Sequence, residues 1–267
     1  MNLSDSIRAI DVHAHFGKSV DQPCELVNRF MSADAEEVIS LAELARIEYT
    51  CVAPLSAFFT SQVEDVVAGN LDASRMAAEH KGLLFWTVVN PRMPETFVQA
   101  SEMLGNPSCV GIKIHPEQHQ YMIKDYGKKI FKFAADRSAV VQSHSGDINS
   151  QPLDFVRFAN DFPEVRLIIS HLGHNLDNDA TQQVRAIQKS THGNMLTDTS
   201  SSKSIIPNLI EWAVEEIGAN KILFGSDSPL YFVPMQRARI DRALISGQDK
   251  SLILRENAIR LFSAKLS

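Results

Sequence analysis

The chain has 267 residues, of which 44% are hydrophobic, and a formal net charge of −6. This length suits one or two domains, or a single (β/α)8 barrel of about 250 residues. The apolar fraction excludes a largely disordered chain, and the excess of acidic over basic residues argues against a surface that binds nucleic acid.

Short apolar or β-branched runs alternate along the chain with longer segments of helical periodicity. The runs recur about every 25 to 40 residues, which is the size of one βα unit. They predict eight strands, at residues 8–16, 49–55, 83–90, 110–115, 139–144, 166–171, 194–199 and 221–227.

The segments between the strands carry helix signals. Asp34 and Glu37 resemble a capping box at the start of one helix. Ser204 is predicted to cap another helix, and Gly218 to end it. Apolar stripes at helical spacing predict two more helices, within residues 153–162 and 254–262.

The alternation of strands and helices predicts a parallel sheet, and eight strands are the number that closes into a (β/α)8 TIM barrel. We therefore expect one domain over residues 1–267. An open, doubly wound sheet is the alternative. No G-x-G-x-x-G follows the first strand and no Walker motif occurs, which weakens the nucleotide-binding forms of that alternative.

Cysteine content and the distribution of apolar residues indicate the compartment. Cys24, Cys51 and Cys109 are too few for a disulfide framework, and no CxxC pair offers a thiolate zinc knuckle. The first residues lack the apolar stretch of a signal peptide, and no run approaches the roughly 18 apolar residues of a membrane span. We expect a soluble, cytoplasmic protein with a small-molecule substrate, no membrane or nucleic-acid partner, and the possibility of a homo-oligomer.

Polar side chains that can bind metals or transfer protons stand at the C-terminal ends of five predicted strands. They are His13 and His15 on strand 1, Lys113 and His115 on strand 4, His144 on strand 5, His171 on strand 6 and Asp227 on strand 8. Active sites of barrels lie at this face. Residues i and i+2 of a strand point to the same side, so His13 and His15 project together. Each side chain alone could be an unrelated core or surface residue, but their joint placement favours one site.

Two imidazoles on strand 1, a third from strand 5 and a carboxylate from strand 8 would complete a mononuclear centre. Such ligands suit Zn²⁺, Mn²⁺, Fe²⁺ or Ni²⁺. A catalytic zinc needs about three protein ligands and an open position for water. Because a divalent ion lowers the pKa of bound water toward about 7, the pattern indicates hydrolysis at neutral pH.

At these residues the sequence resembles the amidohydrolase superfamily. The nearest branch is the amidohydrolase-related one, which includes acid decarboxylases and lactone hydrolases. The resemblance spans essentially the whole chain. It is carried by IDVHAHFG, VGIKIHP, VVQSHSGD, LIISHLGH, ILFGSDSP and the closing ILRENAIRLF. HxH alone is a weak motif, but HxH on strand 1 combined with His, His and Asp on strands 5, 6 and 8 is specific.

The resemblance implies that His13, His15, His144 and Asp227 bind the principal metal, with Zn²⁺ as the expected ion. It also implies that His171 stands beside the metal-bound water or the substrate.

In two-metal relatives, a carboxylated Lys on strand 4 bridges the ions. Lys113 occupies that position, and His144 and His171 would then hold the second ion. The branch that the chain most resembles is mostly mononuclear, so we expect one metal. Lys113 then stays a free ammonium that is available to the substrate.

Asp227 and His171 are the predicted catalytic residues. Asp227 would accept the proton of the water and deliver it to the leaving group, and His171 would orient the water or stabilise the developing oxyanion.

Four residues are predicted to bind substrate: Lys113, His115, Arg92 and His174. Arg92 is included because a guanidinium binds a carboxylate with two parallel hydrogen bonds. The expected function is hydrolysis of a C–O or C–N bond in a small acidic or lactone-like substrate. The alternatives are a non-oxidative, metal-dependent decarboxylase on the same scaffold and a catalytically silent metal-binding barrel.

Overall fold

Eight parallel strands form one sheet in the order of the chain. The computed structural model describes residues 6–201 and 205–266. The strands are β1 (Ala9–Phe16), β2 (Ile47–Pro54), β3 (Leu83–Val88), β4 (Cys109–Ile114), β5 (Val141–Ser143), β6 (Leu167–Ile169), β7 (Met195–Asp198) and β8 (Ile222–Leu223). The chain after β8 returns to β1, because Val12 N donates to Phe224 O at 3.0 Å and Asp227 N donates to His13 O at 2.8 Å. The predicted single-domain (β/α)8 TIM barrel is confirmed, and the open sheet is not formed.

Helices follow the strands and cover the outside of the barrel. They are α1 (Glu25–Phe30), α2 (Ala35–Leu44), α3 (Val63–Glu79), α4 (Pro94–Met103), α5 (Ile123–Ala135), α6 (Val156–Asp161), α7 (Gln182–Lys189), α8 (Leu209–Ile217), α9 (Val233–Arg242), α10 (Gly247–Ser251) and α11 (Asn257–Phe262). Of the helices in the described part of the chain, none is both long enough and apolar enough to cross a membrane.

Helix boundaries follow the local signals in most places. Asp34 and Glu37 form the predicted capping box at the start of α2. The segment 153–162 divides into a 3-10 helix, Pro152–Phe155, and α6, while α11 is preceded by a π-helix at Leu252–Glu256. Gly218 ends α8 with a positive φ of 79°, as predicted. The predicted cap Ser204 lies outside the described residues.

β8 is shorter than the predicted strand 221–227 because other partners replace the strand ladder beyond Leu223. Phe224 N donates to Ile253 O in the π-helix. Gly225 N donates to the hydroxyl of Thr199, and Ser226 N donates to the carboxylate of Asp11. These bonds bend the chain so that Asp227 reaches the mouth of the barrel.

The close approach of β4 to its neighbours depends on Gly111. A Cβ at this position, where φ is 155°, would lie 2.4 Å from Val140 O and 2.8 Å from Trp86 Cζ3. We expect Gly111→Ala to lower the free energy of unfolding by about 1–3 kcal/mol, the usual cost of overpacking a core. Urea denaturation measures this change. Gly105→Ala is the matched control, because its nearest neighbour, Glu102 O, lies 3.3 Å away. Equal stability of the two variants would contradict the packing of β4.

Candidate metal centre and active-site cavity

A cavity of about 240 Å³ opens at the C-terminal ends of the strands. It is lined by His13, His15, Lys113, His115, His144, His171, His174 and Asp227, which are all the predicted site residues except Arg92. Phe58, Phe59, Leu55, Leu230 and Tyr231 add apolar surface to the same cavity. The barrel thus brings together, in one space, groups that are up to 214 positions apart in the chain, as the numbers of His13 and Asp227 show.

His13, His15 and Asp227 form one of the groups of potential metal ligands in the described residues. All three residues are buried. Asp227 Oδ1 lies 3.1 Å from His15 Nε2 and 3.4 Å from His13 Nε2. Separations of this size match neighbouring ligands of a four-coordinate ion with bonds of about 2.0–2.2 Å.

The hydrogen bonds of the two imidazoles show that this group suits a cation. His15 Nδ1 lies 3.1 Å from the carbonyl oxygen of Ala53, and His13 Nδ1 lies 3.1 Å from Asp198 Oδ2. Both oxygens accept, so each Nδ1 carries the proton. When Nδ1 carries the only hydrogen of a ring, its Nε2 presents a lone pair toward Asp227 Oδ1, and the lone pair of His13 also accepts from Lys113 Nζ at 2.8 Å. Two imidazole lone pairs and a carboxylate oxygen that converge in a buried position fit a divalent ion, and each ring has the outer hydrogen-bond partner that metal-binding histidines have.

Lys113 lies next to this group. It is 1% exposed, and its Nζ donates to His13 Nε2 at 2.8 Å and to Gln142 Oε1 at 3.1 Å. Burial lowers the pKa of Lys113 to about 8, against the opposing attraction of Asp198 and Asp227. The amine is therefore easier to deprotonate than an ordinary lysine, which carboxylation requires, yet it carries a positive charge on most molecules at neutral pH.

His171 and Asp227 have a left-handed backbone conformation. Their φ angles are 71° and 59°, in a region where Asn, Asp and His are the side-chain-bearing residues found most often. Neighbouring bonds hold this conformation, because His171 N donates to Asp198 Oδ1 at 3.1 Å and Asp227 N donates to His13 O at 2.8 Å. The two turns direct both side chains into the cavity.

Ser200 and Asp198, both fully buried, hold the rings of His13 and His171. The Ser200 hydroxyl forms a very short hydrogen bond to Asp198 Oδ1. Its oxygen also lies 2.8 Å from His171 Nδ1 and 3.0 Å from His13 Nδ1. The other nitrogen of His171, Nε2, lies 3.0 Å from His144 Nδ1.

His144 makes a second set of contacts at the rim of the cavity. Its ring stacks on His115 with a centroid distance of 4.2 Å and an interplanar angle of 9°. His144 Nε2 lies 2.7 Å from Asp147 Oδ2, and His174 Nε2 lies 3.3 Å from Asp147 Oδ1. The assignment of His144 to the group of His13, His15 and Asp227 stays a prediction.

Sequence reasoning missed Asp147. The available signal was a carboxylate three residues after the predicted strand-5 ligand, in the segment HSGD. Asp198 at the end of β7 and Ser200 just after it stand where the sequence predicts groups inside the barrel or behind the ligands, but their particular bonds to the two imidazoles depend on the closure of the barrel.

Arg92 lies outside this cavity. It is exposed, its Nη1 donates to Gln120 O at 3.3 Å, and it lines a neighbouring cavity of about 630 Å³. The two cavities share Phe58, Phe59 and two polar residues. The contact of Arg92 with a substrate carboxylate stays a prediction. Such a contact requires a substrate that extends from the metal centre past Phe58 and Phe59.

Burial and charge set the ionisation of the cluster. Burial, with a smaller effect of Lys113, lowers the pKa of His13 to about 4. Burial also lowers the pKa of His171 well below its usual range. Burial alone would raise the pKa of Asp227, but the surrounding His13, His15 and His171 hold that pKa well below the ordinary carboxyl value. Burial therefore favours the neutral imidazoles of His13 and His171 beside an anionic Asp227, the state in which such groups bind metals.

A TIM barrel with converging imidazoles and carboxylates at the C-terminal ends of its strands has the architecture of a metal-dependent barrel enzyme. The amidohydrolase family model matches residues 10–264 of the chain. The chain therefore belongs to the amidohydrolase family. No curated protein matches it.

Several solved structures share the fold. A dihydroxybenzoic acid decarboxylase from Polaromonas sp. JS666, with bound manganese and the inhibitor 2-nitroresorcinol, has a TM-score of 0.76 and 13% identity, over 97% of this chain and 98% of the other. A 5-carboxyvanillate decarboxylase from Sphingomonas paucimobilis has a TM-score of 0.75 and 12% identity, over 97% and 99%. An amidohydrolase of unconfirmed activity from Staphylococcus aureus has a TM-score of 0.73 and 13% identity, over 96% and 100%. At these identities the likeness establishes the fold.

Proposed function

We propose that the chain is a metal-dependent hydrolase that cleaves a C–O or C–N bond of a small organic molecule. One divalent ion, with Zn²⁺ as the first choice, would be held by His13, His15 and Asp227, with His144 as the further predicted ligand. One observation carries the proposal: Asp227 directs Oδ1 at the two imidazoles, while its Oδ2 lies 4.0 Å from His171 Nδ1. One carboxylate therefore adjoins both the metal position and a second group that can carry a proton.

A divalent ion bound at this position supplies water of lowered pKa and polarises a carbonyl oxygen. The residues supply the proton transfers. Asp227 is anionic at neutral pH and can accept a proton and return it to the leaving group. His171 is neutral and is oriented by Ser200 through Nδ1, so its Nε2 can accept from the attacking water in place of His144.

The charges of the cavity favour a lactone, ester or amide that is uncharged or carries a single acidic group. Among the described residues that line the cavity, Lys113 is the only Lys or Arg. Four are carboxylates: Asp21, Glu117, Asp147 and Asp227. Lys113 would bind the carbonyl or the single acidic group, and His115 and His174 would contact the polar part of the molecule.

A metal-dependent decarboxylase is the second candidate. It is supported by the names of the structurally similar proteins, which act on dihydroxybenzoate and 5-carboxyvanillate. A carboxy-lyase must bind a substrate carboxylate, which the bound ion and Lys113 would attract, whereas Asp21, Glu117 and Asp147 would repel it. We place hydrolysis first because Asp227 adjoins both the metal position and His171.

A substrate panel separates the two candidates. The metal-loaded protein is incubated with lactones, esters, amides and aromatic or unsaturated acids, and both acid release and CO₂ release are followed. We expect acid release from members of the first three classes, no CO₂ from the fourth, and loss of turnover in a sample treated with chelator. CO₂ release from the acids would establish the decarboxylase instead, and turnover of no class would favour a silent barrel.

A further inference from the structure

His144, Asp147 and His174 form a second cluster of potential ligands at the rim of the cavity. Their ligand atoms lie within 4.8 Å of one another. The side chains of His144, Asp147 and His174 are 12%, 24% and 24% exposed, so they are accessible from the cavity that they line. From these contacts we propose that the cluster is a second metal site, which takes a divalent transition ion such as Zn²⁺.

The chemistry of the cluster matches such an ion. Two imidazole nitrogens and one carboxylate form a three-ligand set that leaves positions open, as in catalytic zinc and non-haem iron sites. The Asp147 oxygens lie 2.7 Å from His144 Nε2 and 3.3 Å from His174 Nε2. A four-coordinate ion with bonds of about 2.0–2.2 Å holds its ligand atoms at similar separations.

The contacts of His144 direct its two ring nitrogens to different partners. Nδ1 lies 3.0 Å from His171 Nε2, and Nε2 lies 2.7 Å from Asp147 Oδ2. When the ring carries its hydrogen on Nδ1, Nε2 presents a lone pair to Asp147. A metal ion would then lie between these two atoms in place of a proton.

A glycine and two side-chain hydrogen bonds fix the backbone that carries His144, Asp147 and His174. Gly146 has a φ of 108°, and a Cβ there would lie 2.3 Å from His174 O. The glycine thus lets the loop after β5 approach the loop after β6. Gln183 donates to His174 O at 2.6 Å, and Gln151 donates to Asp147 O at 2.9 Å. Ligands whose backbone is fixed in this way need little reordering to bind an ion.

This site differs from the centre of His13, His15 and Asp227 and from a pair of ions bridged by Lys113. Neither Asp147 nor His174 belongs to those sets. The rim ion would take Nε2 of His144, which faces Asp147, and would leave Nδ1 in contact with His171. An ion at the rim would offset the negative charge of Asp147 and attract an oxygen atom of the substrate.

Counting bound Zn²⁺ tests the proposal. The protein is equilibrated with excess Zn²⁺, freed of unbound metal by gel filtration, and analysed by mass spectrometry of the element. We expect Asp147→Asn and His174→Gln each to bind one Zn²⁺ per chain fewer than the wild type. Glu117→Gln, which alters a carboxylate of the same cavity that is bonded to Asn149 N at 3.1 Å, should keep the wild-type number.

The outcomes distinguish this site from the proposed function. His13→Ala should lose the ion of the main centre and keep the rim ion. If only the rim variants lose zinc, the second site stands and the proposed function fails. The rim site would be overturned if both Asp147→Asn and His174→Gln kept the zinc content and the circular dichroism of the wild type. The cluster would then be a hydrogen-bonded contact between the loops after β5 and β6. Loss of an ion in Lys113→Met without loss in the rim variants would also overturn it.

Discussion

Asp227→Asn is expected to lower kcat by about 10²–10⁴-fold, the contribution usual for a positioned acid–base group. The variant keeps the size of the side chain but removes the negative charge that both the metal and the proton transfer require. Its fold should persist, because Asn is the residue that best tolerates the left-handed backbone found at position 227, where φ is 59°. Hydrolysis assays on the substrate identified in the panel measure the effect.

The control for this variant is Asp21→Asn. Asp21 lines the same cavity, but its carboxylate contacts Gln118 Nε2 at 3.2 Å. It should change kcat far less than Asp227→Asn does. If Asp227→Asn retained wild-type kcat while its circular dichroism and zinc content were normal, the proton-transfer role of Asp227 would be wrong.

His13→Ala is expected to remove the ion of the main centre and with it the turnover. The Nε2 atom of His13 is one of the three ligand atoms that converge at this position, 3.4 Å from Asp227 Oδ1. The cost to folding is moderate, because Asp198 and Lys113 each lose one buried hydrogen-bond partner at about 1–3 kcal/mol. A domain of this size loses roughly 2–4 °C of Tm for each kcal/mol.

Zinc analysis and thermal melting of metal-free samples measure the two effects separately. His192→Ala is the matched control, because His192 is exposed and lies outside the cavity. It should keep both the zinc content and the Tm of the wild type. His13 lies at the mouth of the barrel, and we expect the barrel to fold without its imidazole. Global unfolding of His13→Ala at room temperature would contradict this expectation.

The periodic features of the sequence were sufficient to predict the barrel. Each strand carries its own apolar run, and eight such runs are the number of strands that closes a parallel sheet into a barrel. The ends of β8 were less predictable, because side chains as distant as Asp11 and Thr199 replace its ladder bonds. Those contacts arise only when the first and last strands meet.

The site was predictable where the information is local. His13 and His15 are two residues apart on one strand, and their common direction follows from strand geometry. The contacts of Asp147, and the position of Arg92 outside the active-site cavity, depend on how loops from different βα units approach each other. Gly146 shows this dependence, because its missing side chain allows the contact with His174. The resemblance to the amidohydrolases supplied the assignment of roles, and the structure supplied the outer partners Asp198, Ser200 and Ala53.

The central question is whether a divalent ion occupies the convergence of His13, His15 and Asp227. Anomalous diffraction from a crystal of the Zn²⁺-loaded protein, collected at the zinc edge, locates the ion directly. We expect a peak about 2.0–2.2 Å from His13 Nε2, His15 Nε2 and an oxygen of Asp227. A well-ordered, zinc-loaded crystal without a peak between these three side chains would contradict the proposed metal centre and the hydrolase function that depends on it.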